Sequence, residues 1–352
     1  MSIASKNKTR RSRTILNRKS SFEALEDRRL MAGDVTASLV GNTLFVNEAF
    51  NAPDQSNQVQ VSTLGNGAIR VSGYTQNGDP SRINGKAFVD FSIPGGSVAA
   101  NLVVNLRGGN DRIALWNANI DTALINTSST NSANADVDMV DIQNLRTRGA
   151  VQVNTGFGVD SVLAKNVQIG DGIGNDDFTI NTGSGSDYVK VGDLSSWSSI
   201  RGSLKVKTFD SLNVAEVDTV KVQLTTVHQS ALIELGGGDD SVDMVASTIG
   251  KNLFIIAGDG RDNVKMREVQ VIDSFFAHMG AGDDSLDLNY VRAEHMHLHG
   301  EEGRNTLVKT SDTSSRSLAQ TGWSTVNGRW QKGVINTKLT SSAATNAFSH
   351  GR

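Results

Sequence analysis

Residues 262–284 read DNVKMREVQVIDSFFAHMGAGDD. Three short alternations lie inside them: Val264-x-Met266, Val269-x-Val271 and Phe275-x-Ala277-x-Met279. Apolar residues at every second position mark half-buried strands. A glycine turn ending in aspartate closes the unit, and the pattern then starts again. Three strands and a turn in about 22 residues are what one coil of a parallel β-helix requires, with successive coils stacked ~4.8 Å apart. No coil buries its inward side chains alone. Stacking buries them in a shared axial core.

Working outward from this unit, the same turn recurs as RGGNDRI at Asp111, GFGVDSV at Asp160, GSGSDYV at Asp187 and AEVDTV at Asp218. It continues as GGGDDSV at Asp240, GDGRDNV at Asp262, GAGDDSL at Asp284 and EEGRNTL at Asn305. The last four spacings are 22, 22, 22 and 21 residues. The first gap, of 49, fits two coils with a degenerate rung near Asn134–Ile142. The expectation is an all-β, right-handed parallel β-helix of about nine coils over residues 101–310, the hand following from the usual chirality of parallel crossovers. Aligned third strands place Leu253/Ile255/Ala257, Phe275/Ala277/Met279 and Met296/Leu298/Gly300 on the axis. Lys190, Lys221, Asp243, Lys265 and Asp287 face outward, and the signs of the last four alternate.

Residues 34–100 lack the turn and read as hairpins, with a tight turn at Leu64–Gly67; they form an N-terminal capping region. Residues 311–352 are Ser/Thr-rich, with Trp323 and Trp330 as the large anchors, and read as a cap or tail. Residues 1–33 carry nine basic and three acidic side chains, a charge of +6 that leaves −9 for the rest of a chain whose net charge is −3. An acidic body argues against nucleic acid as a partner. No 18-residue apolar run exists, so no transmembrane helix is expected. Cysteine is absent, which excludes disulfides and thiolate metal sites.

The basic segment has no apolar stretch of the kind a conventional secretion signal needs. It ends in FEALEDRRLMAGD, residues 22–34. This resembles the LEPRxLL-type motif of planctomycete surface and exported proteins at Phe22, Leu25, Glu26, Arg28, Leu30, Met31 and Ala32. Asp27 stands where that family often has proline. The resemblance implies export to the cell surface or envelope, with cell-envelope or matrix components, polysaccharide among them, as partners.

Gly-x-Gly-x-Asp also resembles half of the GGxGxDxUx repeat of RTX-type calcium-binding β-rolls. That resemblance implies calcium held by Asp240, Asp262 and Asp284, by Asp239, Asp259 and Asp283, and by Asp187 and Asp160. The departure is spacing: one turn per coil here, on one edge, where RTX repeats come every nine residues. A corner alone explains the glycines, and its aspartate can cap backbone amides. Both readings stand at this point, a bare corner and a corner with a weak calcium site. The one transition-metal candidate is His278, His295, His297 and His299, brought together on one outward strand face.

Two functions follow from these features. The first is a non-catalytic, secreted or surface-attached structural or adhesive repeat protein. The second is a polysaccharide lyase or hydrolase, because the coil length resembles that of pectate-lyase-like β-helix enzymes. No Ser–His–Asp order or nucleophile elbow is present.

Overall fold

The computed structural model describes residues 34–49, 55–74, 80–93, 100–128, 136–209 and 216–327. Every regular element among them is a β-strand. No helix among the described residues is long and apolar enough to cross a membrane.

The strands form a parallel β-helix, built by strand-on-strand stacking from coil to coil. The unit of residues 262–284 contains Asn263–Arg267, Gln270–Val271 and Ser274–His278. Each pairs in parallel with its equivalents below and above. Asn263–Arg267 lies between Ser241–Val245 and Ser285–Asn289. Ser274–His278 lies between Leu253–Asp259 and Arg292–His299. Register is kept residue for residue: Leu253 stacks under Phe275 and Phe275 under Met296, while Ile255, Ala277 and Leu298 form the next column. All six side chains are fully buried. Alternation of two residues per period sends the intervening side chains outward, so the stacking order of the core follows directly from the sequence alignment.

The parallel pairing extends beyond residues 101–310 in both directions. Thr43–Glu48 already pairs in parallel with Asn101–Asn105, and Gln58–Thr63 with Arg112–Trp116. The expected hairpins are attached to these first rungs. Asp34–Val40 runs antiparallel to Thr43–Glu48, and Gln58–Thr63 antiparallel to Ile69–Gly73 through the Leu64–Gly67 turn. At the other end Ser314–Thr321 and Thr325–Asn327 continue the stack. Trp323 packs against the core and donates its indole N–H to the Leu298 carbonyl. Trp330 and residues 1–33, which hold most of the LEPRxLL-like stretch, lie outside the described residues.

The outward column runs Lys190, Lys221, Asp243, Lys265, Asp287, in the expected register. These lysines decorate a solvated strand face. Lys265→Ala therefore changes stability by no more than about 0.5 kcal/mol. Ala277→Asp puts a carboxyl between Ile255 and Leu298 on the axis and costs more than about 4 kcal/mol. Urea unfolding of the two variants beside the parent checks both values. Equal effects would contradict the assignment of the two faces.

Candidate functional site

The aspartate that ends each glycine turn points inward. Its backbone N–H has left the sheet ladder at the corner and needs another acceptor. A side chain from the next coil supplies it. Asp240 N–H donates to Oδ1 of Asp262, and Asp262 N–H to Oδ1 of Asp284. The same bond links Asp111 to Asp138, Asp138 to Asp160, Asp160 to Asp187, Asp187 to Asp218 and Asp218 to Asp240, at 2.7–2.9 Å. Asparagine closes both ends of the column. Asn57 N–H donates to Asp111, and Asp284 N–H donates to Asn305 Oδ1. All ten residues are buried.

The second carboxyl oxygen of each rung faces the interior. Thr127, Thr155, Thr182 and Thr208 stand beside Asp138, Asp160, Asp187 and Asp218 and favour their ionised forms, against burial. In later coils the register puts Leu235, Ala257 and Met279 where those threonines stand. Oδ2 of Asp111, Asp138, Asp160, Asp187, Asp240, Asp262 and Asp284 is buried with no hydrogen-bond partner. Burial, with neighbouring carboxylates adding to it, pushes every aspartate of the column up. Asp111 reaches about 10, Asp138 and Asp187 about 8, Asp218 and Asp262 about 7, and Asp160, Asp240 and Asp284 about 6.

The terminal rung indicates what a proton does here. Asn305 presents an amide at this position, and its Nδ2 donates to the carbonyls of Gly300, Glu302 and Gly322. A protonated aspartate has the same shape and a comparable donor.

The glycines of the turn have a separate cause. Gly238, Gly260 and Gly282 form one column, each at positive φ. A Cβ on Gly260 would lie 1.9 Å from the Gly238 carbonyl oxygen. Backbone stacks directly on backbone at this corner, so only glycine fits.

The six carboxylates expected on one edge are therefore divided. Asp240, Asp262 and Asp284 are inside, as are Asp160 and Asp187, with Oδ1 committed to an amide. Asp239, Asp259 and Asp283 are exposed. Asp239 Oδ1 accepts the N–H of Arg261, and Asp283 Oδ1 that of Arg304. Arg261 occupies the coil between Asp239 and Asp283, so this outer column alternates acid and base. Calcium prefers six to eight converging oxygens. This donor set does not fit a shared calcium cage, and the corner is complete without one.

The four histidines do share one outer face. His278 and His299 stack with ring centroids 4.8 Å apart, and His297 stacks on Phe276 at 4.7 Å. One ring nitrogen in three of them serves another partner: His278 Nδ1 meets Glu301, His295 Nδ1 meets Ser317 and His299 Nδ1 meets Thr321. Burial holds His297 and His299 below the ordinary histidine value, and neighbouring histidines add to it. Parallel stacked rings do not converge on one ion, and the quartet does not assemble as a metal centre. The one group among the described residues that brings three ligating side chains within 4.8 Å of one another is Asp273, Glu294 and His295.

Two parts of the column were missed in the sequence, Asn57 and the identity of Asp138. The signal that carries both is Asp or Asn followed two residues later by an aliphatic strand residue. Asn57-Gln58-Val59 and Asp138-Met139-Val140 both carry it. No protein-family model, no curated protein and no solved structure matches the chain.

Proposed function

We propose that the chain is a non-catalytic structural or adhesive repeat protein of the cell surface or surroundings, exported through residues 1–33. One observation carries the reading. The aspartates, the richest source of chemistry in the repeat, are spent on holding coil to coil. A carboxylate that works on a substrate must face it, and these face the core.

The lyase or hydrolase alternative needs aromatic faces free for sugar rings. Phe254, Phe276 and His297 stack on one another, with the phenyl centroids 4.8 Å apart, and exposed aromatic side chains such as Trp197 and Tyr290 are scattered along the chain. Envelope or matrix components, polysaccharide included, are the partners this placement implies, held by the outer strand faces rather than by a catalytic groove.

Expression in a host that exports proteins of the LEPRxLL type tests the proposal. The full chain reaches the surface, whereas a chain starting at residue 34 folds with the same strand-rich circular dichroism but stays inside. Surface delivery of the truncated chain, or release of sugar from a polysaccharide panel, overturns it.

A further inference from the structure

We infer that Asp273, Glu294 and His295 form a surface site for a divalent transition-metal ion of the zinc type. Asp273 lies in the corner between the strands Gln270–Val271 and Ser274–His278. Glu294 and His295 lie one coil up, on Arg292–His299. The Asp273 carbonyl accepts the N–H of both Glu294 and His295, at 2.9 and 3.1 Å, which fixes the two coils against each other at this point. One ligating atom from each residue lies within 4.8 Å of the other two.

Each side chain is also oriented from outside the group. Ser274 Oγ holds Asp273 Oδ1, Arg316 Nη1 holds Glu294 Oε1 and Ser317 Oγ holds His295 Nδ1. In the proposed site the ion takes the second carboxylate oxygens of Asp273 and Glu294 and Nε2 of His295. Outer partners that fix the far atom of each ligand are a recurrent property of metal centres. One imidazole and two carboxylates suit zinc and its first-row neighbours, with water completing the shell. Arg316 is the resident cation and weakens the site while it stays on Glu294.

Calorimetric titration of the full chain with zinc chloride tests this. One ion binds per chain. His295→Ala and a Glu294→Gln, Asp273→Asn double variant each lose detectable binding, and their thermal unfolding stays that of the parent because the side chains are at the surface. Ser317→Ala weakens binding roughly tenfold, the usual effect of removing an outer partner. Arg316→Ala tightens it. His297→Ala with His299→Ala leaves it unchanged. Absence of heat with the parent chain, or binding that survives His295→Ala but is lost with His297 and His299, overturns the site.

Discussion

Gly282→Ala is expected to leave the chain without a stable fold. The new Cβ would sit 1.6 Å from the Gly260 carbonyl oxygen and 2.6 Å from its carbon. Neither atom belongs to a side chain that can swing away; both are backbone of the coil below. The residue also holds φ at +147°, where an L side chain is strained before any neighbour is counted. The loss should exceed about 5 kcal/mol, comparable with the entire stability of many domains. Gly41→Ala provides the control. Gly41 has φ of +59°, and nothing lies within 4 Å of its added Cβ. It should cost only the left-handed penalty, about 1–2 kcal/mol. Soluble yield and urea midpoints of both variants separate stacking from strain. Equal losses would mean that the close approach of the coils is not what demands glycine.

The second large effect is at Asp262, and its sign depends on what replaces the carboxyl. Asp262→Ala removes the acceptor of the buried Asp240 N–H and should cost about 1–3 kcal/mol. Asp262→Asn keeps that acceptor and adds an amide donor, as Asn305 does at the end of the column. At about pH 8 it should therefore stabilise, by roughly 1–3 kcal/mol, because no charge has to be buried. The advantage should shrink as pH falls and vanish only below about pH 4, where the unfolded chain's aspartate is protonated as well. Millimolar calcium should leave both proteins unchanged. A calcium-dependent rise in the parent melting temperature that Asp262→Asn abolishes would restore the cage.

The β-helix was legible because its period is written in residues that have no substitute. Glycine recurs at one corner since Cβ is excluded there, and aliphatic residues recur at alternate positions since the axis is dry. The opposite corner left no such mark. Asn117, Asn144 and Asn166 occupy it in the first coils and Leu224, Ala246, Glu268 and Tyr290 in later ones, all with φ between 43° and 56°. That corner is open to solvent, so several residue types accept the modest strain, and no motif forms. The direction of the aspartates was equally hidden. Asp239 and Asp240 are adjacent and chemically identical, yet one is exposed and the other is in the core. Only the pleat separates them. A count of carboxylates therefore suggested a cation site where the fold had built a column of hydrogen-bond acceptors.

Central to this account is a row of aspartates that fold most readily when neutral. Their folded pKa values, about 6 to 10, lie above the 3.8 of a free aspartate. As pH rises past about 4 the unfolded chain loses these protons first, so the folded state binds more of them and stability falls. The fall continues until the folded carboxyls have titrated too. Lys309, pushed down to about 7 by burial, acts in the opposite sense, as one group against eight. The most direct measurement is the urea unfolding midpoint of the full chain from about pH 5 to about pH 9. A continuous decline at constant denaturant slope is expected. A midpoint that is flat or rises over that range would contradict it.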